Sequence, residues 1–73
     1  MKYIRIKTIG DADAIINIDK ISYIIGGHSI TRIFLDNDKR YVEINYPIDD
    51  LLSFLQEHDE NIIRTLPPDK YTG

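Results

Sequence analysis

The chain of 73 residues has no cysteine and no tryptophan. Without cysteine, a disulfide scaffold, a thiolate metal site and a cysteine nucleophile are excluded. Basic residues are also few: nine Lys and Arg stand against twelve Asp and Glu, and the resulting net charge of -3 is unlike that of a typical nucleic-acid-binding domain. Because apolar runs are only two or three residues long, we expect no secretory signal and no membrane-spanning helix, and we expect a cytoplasmic protein.

The composition is that of one small folded domain. Hydrophobic residues make up 42% of the chain, and 15 of them are isoleucine. This apolar share is ordinary for a folded protein, and the length allows one hydrophobic core but not two. We therefore predict a single domain over residues 1–66, followed by a flexible tail over 67–73 that begins with two prolines.

Alternating side chains predict strands in the first third of the chain. Residues 1–9 alternate apolar and charged side chains, which is typical of a half-buried strand. A second apolar stretch covers 14–25, and its register changes near Asp19, where we predict a bend, a bulge or a short helical turn. Beyond that point, three apolar side chains are expected to share one face: Ile21, Tyr23 and Ile25.

Two hairpin turns and two further strands follow. Residues 26–29 contain two consecutive glycines, and residues 36–39 are rich in types that tolerate a left-handed backbone. These turns bound predicted strands over 30–35 and 40–46, and the second of these strands has the clearest apolar and polar alternation in the chain.

The periodicity changes after Pro47. Four apolar residues then follow the spacing of an amphipathic helix: Ile48, Leu51, Leu52 and Leu55. We predict a helix over 48–58, and the pattern leaves open whether residues 59–64 continue it. The predicted fold is therefore α+β, with a four-stranded antiparallel β-meander followed by one C-terminal amphipathic helix.

One short helix cannot cover both faces of a four-stranded sheet. Several apolar and aromatic residues remain for the second face, including Ile15, Ile30, Phe34 and Tyr41. Either the sheet curls into a partial barrel or this second face meets another subunit. We expect a homodimer or a higher oligomer, because so small a chain gains stability from association.

Three features follow one another along the chain: the strand end Ile16-Asn17-Ile18-Asp19, an acidic turn with the strand after it, and a short helix. This order resembles the small FlbD/SwrD-type flagellar-associated proteins and short bacterial and phage proteins of similar layout. The resemblance covers about residues 1–57. The turn here reads Asn37-Asp38-Lys39 where the family has Asn-Gly-Lys, and the double-proline tail is additional. The resemblance implies no catalytic residues.

The sequence predicts no catalytic residue, no metal site and no cofactor. His28 and His58 are the only histidines, whereas a zinc site needs three or four ligands. The acidic residues over 36–43 lack the spacing of a calcium loop, and the serines lack the flanking glycines of a nucleophile elbow. We therefore expect a protein that is not an enzyme.

The function predicted from these features is a non-catalytic protein-interaction or regulatory module. A small phage- or plasmid-type inhibitor that masks a surface of another protein is one form of it. Candidate partner-binding residues are Asp49, Asp50, Phe54, Glu57, Phe34 and Tyr41. The alternative is a sheet face that binds a small ligand or nucleic acid through Arg5, Lys7, Tyr23 and Arg32. The net negative charge makes nucleic acid the less favoured partner.

Overall fold

The computed structural model describes residues 2–37, 39–57 and 59–68. Within these ranges the chain forms two three-stranded sheets, one α-helix and a 3-10 turn. The elements in chain order are β1 (Tyr3–Lys7), β2 (Asp13–Asn17), the 3-10 turn (Ile18–Lys20), β3 (Ile21–Gly26), β4 (Thr31–Leu35), β5 (Arg40–Ile44), α1 (Ile48–Gln56) and β6 (Ile63–Thr65). The predicted α+β class is confirmed, but two sheets replace the single four-stranded meander.

The first sheet has the strand order β2-β1-β6. β1 pairs antiparallel with β2, where Ile4 lies opposite Ile16, and it pairs parallel with β6. Parallel strands need a long connection, and the rest of the chain supplies it. β6 was not predicted, because three residues are too few to show an alternation and the paired strand lies at the other end of the sequence.

The second sheet is an antiparallel meander with the strand order β3-β4-β5. Its two hairpin connections are those predicted over 26–29 and 36–39. The apolar stretch 14–25 is divided between the two sheets by the 3-10 turn, so the bend predicted near Asp19 is confirmed. The Oδ1 atom of Asn17 starts this turn by accepting a hydrogen bond from the backbone N–H of Asp19 at 3.0 Å.

A β-bulge in β3 decides which of its side chains face the core. The pairing with β4 shifts register between Ile21 and Tyr23, which makes Ser22 the extra residue. Ile21 and Ile24 therefore pack against the core. Tyr23 and Ile25 are exposed on the opposite face. The prediction that Ile21 shares a face with Tyr23 and Ile25 was wrong, because the bulge resets the alternation between them.

Both sheets and the helix contribute to one hydrophobic core. Its buried members are Ile4, Ile6, Ile16, Ile33, Ile44, Tyr46, Leu51 and Phe54. Burying each large aliphatic side chain contributes about 1.5–3 kcal/mol to stability. The core is thus enclosed by two sheets of the same chain, and no second subunit is needed to cover the inner faces.

Backbone hydrogen bonds join the elements around this core. The N–H of Ile9, just beyond β1, donates to the carbonyl of Glu43 in β5 at 3.0 Å. The N–H of Ile48 at the start of α1 donates to the carbonyl of Gly27 in the β3–β4 hairpin at 2.9 Å. These bonds connect the first sheet to the second and fix the helix to the hairpin.

The helix is shorter than predicted and ends at Gln56. Leu51 and Phe54 are its buried residues, whereas Leu52 of the predicted apolar stripe is exposed. Beyond the helix the chain turns back into β6, so residues 59–64 do not continue α1. In the part of the chain that the structure describes, no helix has the length and apolar character needed to cross a membrane.

Candidate interaction surface

Three aromatic rings form a row across the outer face of the second sheet. Phe34 in β4 lies opposite Tyr23 in β3 and opposite Tyr41 in β5. Because side chains alternate along a strand, Phe34 points outward from the fully buried Ile33 beside it. We call Tyr23, Phe34 and Tyr41 the ring row.

The rings of this row stack on one another. The centroids of the Tyr23 and Phe34 rings are 4.4 Å apart and their planes differ by 8°. The Phe34 and Tyr41 rings are 5.4 Å apart with planes 34° apart. Neighbouring strands are themselves about 4.8 Å apart, so rings stacked from strand to strand stand upright on the sheet. The ring faces that point along the row are therefore covered by the neighbouring rings, and the ring edges point to the outside.

A second row, with charged residues, runs beside the first. Arg32 in β4 lies opposite Ile25 in β3 and opposite Glu43 in β5. The Nε atom of Arg32 donates to Oε1 of Glu43 at 3.0 Å. Its guanidinium carbon also lies 5.5 Å from the centroid of the Tyr41 ring. We call Ile25, Arg32 and Glu43 the charged row, and the two rows together the aromatic face.

The aromatic face has no net charge, because its one cation and one anion are paired with each other. This neutrality contrasts with the chain as a whole, whose formal net charge is -3. The excess of carboxylates therefore lies elsewhere, on loops, on the helix and on the segment after it. The aromatic face is a neutral surface on an acidic protein.

The four residues of the predicted basic and aromatic face belong to two different sheets. Tyr23 and Arg32 lie in the aromatic face, whereas Arg5 and Lys7 lie in β1. Nη2 of Arg5 and Nζ of Lys7 are each 3.3 Å from a carboxylate oxygen of Asp13 in β2. The hydrogen bond from Arg5, followed by that from Lys7, lowers the pKa of the Asp13 carboxyl below its ordinary value. The β1 cations are thus occupied within their own sheet.

The residues predicted on the acidic side of the helix have different environments. Asp49 is exposed and Asp50 is half-buried in the first turn of α1. Glu57 follows the helix and is exposed, and its carboxylate accepts a hydrogen bond from Nη2 of Arg64 at 3.0 Å. Phe54 is only 8% exposed, because it faces the core. Its predicted role at a partner surface therefore gives way to a role in packing.

Sequence reasoning placed the three ring-row residues in two separate groups. Tyr23 was grouped with basic residues, while Phe34 and Tyr41 were grouped with the acidic helix. The signal that unites them is the hairpin register. Counting outward along the strands from the predicted turns over 26–29 and 36–39 puts Phe34 opposite both Tyr23 and Tyr41, as the structure shows.

A shallow groove of about 280 Å³ lies between the ends of β1 and β5 and the segment that follows β6. Pro67 and Pro68, the start of the predicted tail, line this groove. Residues 69–73 and His58 lie outside the described residues. Among the residues that are described, no group of three or more His, Cys, Asp or Glu side chains is placed to hold a metal ion.

Comparison with known proteins adds no further assignment. No protein-family model, no curated protein and no solved structure matches the chain. The resemblance to the FlbD/SwrD-type proteins therefore stays a prediction. A function must be inferred from the geometry of the aromatic face.

Proposed function

We propose that this protein is a non-catalytic protein-interaction module and that the aromatic face is its contact surface. The observation that carries the proposal is the exposure of the face: Tyr23 is 41% exposed, and Tyr41 and Ile25 are each 55% exposed. Contiguous apolar surface of this kind marks interaction sites on small soluble domains. Tyrosine, phenylalanine and arginine are also the residues enriched at the centres of protein interfaces.

The rigidity of the face supports a role in binding. Backbone ladders hold its three strands, and stacking restricts the rings of Tyr23 and Phe34 before any partner arrives. Side chains that are already ordered lose little conformational entropy on association. A module with such a surface suits regulation by masking, in which one protein covers a functional surface of another.

The same geometry favours a protein partner over nucleic acid. Bases bind to a sheet by stacking on free ring faces, whereas the inner faces of this row are covered by neighbouring rings. Phosphates need available cations, but Arg32 is paired with Glu43. The ring edges and the neutral charge of the face suit the apolar and polar side chains of a protein.

The test compares wild type with the double variant Tyr23→Ser, Tyr41→Ser. Both proteins are immobilised and challenged with lysate of the source organism at low and high salt. We expect wild type to retain a defined protein at both salt concentrations and the double variant to lose it, because the variant lacks the two most exposed rings of the ring row.

Ile15→Ser is the matched control, because Ile15 is 59% exposed on β2 of the other sheet. The control is expected to bind as wild type does. Retention of the same protein by the double variant would contradict the proposal. So would an eluate that consists of nucleic acid and disappears at high salt.

A further inference from the structure

We infer that the partner of the aromatic face is a second copy of this chain, packed sheet against sheet about a two-fold axis. This inference rests on the proposed function, because it names the occupant of the same surface. Two properties of the face lead to it, its charge and its self-complementary pattern, and its area sets the expected strength of association.

Charge selects the aromatic face for self-association. Two copies that each have a net charge of -3 repel one another over most of their surfaces. The first turn of the helix carries the two carboxylates of Asp49 and Asp50, so approach through it brings like charges together. On the aromatic face, the Arg32–Glu43 pair leaves no net charge, so approach through it is opposed least.

The pattern of the face allows it to bind itself. A two-fold interface requires that when residue i meets residue j of the other copy, j also meets i. An axis parallel to the two rows and midway between them satisfies this requirement, because it lays each ring row over the charged row of the other copy. On β3, Tyr23 then meets Ile25 of the other copy, which is an apolar contact.

The other two strands give chemically matched contacts in the same arrangement. On β4, the Phe34 ring edge of one copy lies against the aliphatic part of the Arg32 side chain of the other, which is an apolar contact. On β5, the Tyr41 hydroxyl approaches Glu43 of the other copy, and a phenol donates well to a carboxylate. Each of the three strands thus contributes one favourable pair, and the symmetry repeats all three.

The area of the face predicts a weak dimer. At about 200 Å² for a whole aromatic side chain, the exposed parts of the face amount to roughly 400 Å² per copy. The total of roughly 800 Å² lies below the 1,200–2,000 Å² of stable specific complexes. We therefore expect association that rises with protein concentration and that is absent in dilute solution.

Sedimentation equilibrium over a range of concentrations tests the inference. We expect the average mass of wild type and of Ile15→Ser to rise from monomer towards dimer, and that of Tyr23→Ser, Tyr41→Ser to stay at monomer. Circular dichroism checks that the variants remain folded. Because the chain has no cysteine, single cysteines give a second readout.

A Tyr23→Cys copy mixed with an Ile25→Cys copy should be linked by a short thiol-specific crosslinker. Mixtures in which Ile15→Cys replaces either copy should remain unlinked.

The outcomes separate the two proposals. Wild type could be monomeric at every concentration and yet capture a protein from lysate that the double variant does not capture. In that case the inference of a second copy is overturned and the proposed function stands. If wild type is monomeric and both proteins capture the same partner, both proposals fail. A dimer that persists in the double variant overturns the aromatic face as its interface.

Discussion

The guanidinium carbon of Arg64 lies 3.9 Å from the centroid of the Phe54 ring. The same guanidinium donates to the carbonyl of Phe54 at 2.9 Å and contacts the carboxylates of Glu57 and Asp59 at 3.0 and 3.3 Å. Its side chain is only 9% exposed. Arg64 therefore joins the end of α1 to β6, the strand that sequence patterns did not reveal.

Replacing Arg64 should destabilise the fold. In Arg64→Met, the carbonyl of Phe54 in the last turn of α1 loses a charged donor, and the carboxylates of Glu57 and Asp59 lose their cation. We expect a loss of about 2–3 kcal/mol, less than for a fully buried pair because Glu57 is exposed. Urea denaturation measures this difference. Arg64→Lys should recover only part of it, since an ammonium cannot make the same set of contacts.

Arg5→Met is the control for this prediction. Arg5 also has a carboxylate partner, Asp13, but both side chains are about half-exposed. Exposed pairs contribute about 0–1 kcal/mol, so the expected loss is small. Equal losses in Arg64→Met and Arg5→Met would show that the contacts of Arg64 do not stabilise the junction of α1 and β6.

Two adjacent glycines should respond differently to alanine. A Cβ at Gly26 would lie 2.5 Å from the Oγ1 atom of Thr31, whereas a Cβ at Gly27 would have no atom within 4 Å. Thr31 is fully buried, so any shift that makes room for a Cβ disturbs the packed core. We expect Gly26→Ala to lose about 1–3 kcal/mol by overpacking and Gly27→Ala to change stability by less than about 0.5 kcal/mol. Thermal melts of both variants would refute this account if the two midpoints coincide.

The hydroxyl of Thr31 should contribute to stability through one hydrogen bond. It donates to the carbonyl of Tyr46 at 2.6 Å, in the buried interior. Thr31→Val keeps the shape of the side chain but removes the donor, so we expect a loss of about 1–3 kcal/mol. Thr31→Ser keeps the hydroxyl and removes one methyl, at a cost of about 1 kcal/mol. If chemical denaturation shows a smaller loss of unfolding free energy in Thr31→Val than in Thr31→Ser, the role of the hydrogen bond is contradicted.

The titration of Asp13 should depend on its two basic neighbours. The hydrogen bonds from Arg5 and Lys7 lower its pKa from the ordinary value of 3.8. A lowered native pKa means that the carboxylate stabilises the fold above the unfolded-state pKa, and that this contribution is lost as the pH falls through the native pKa. Carbon-13 NMR should give a midpoint below 3.8 for Asp13, moving upward in Arg5→Gln. A wild-type midpoint at or above 3.8 would contradict this ion pair.

Local patterns predicted much of the secondary structure. The two hairpin turns, the bend near Asp19 and the start of the helix at Ile48 are as expected. Each depends on neighbouring residues alone: turn-forming types, a change of alternation or helical spacing after Pro47. These features can be predicted because each signal lies within a few neighbouring residues.

The candidate surface was predicted only in part. Phe34 and Tyr41 were named as contact residues and lie in the ring row, but Tyr23 was assigned to another group. Phe54 was named because helical spacing shows that it is apolar, and spacing does not show which apolar residues reach the core. Tertiary packing, which buries Phe54 under Arg64, decides that question.

Local sequence patterns specify the order of most strands, the helix and the turns, because alternation and turn chemistry act over short distances. Long-range packing places β2 and β3 in different sheets, pairs β6 with β1, and turns Tyr23 outward at the bulge of Ser22. These features depend on contacts between distant segments and on filling one shared core. No local pattern records such contacts, and they are what leaves the aromatic face exposed.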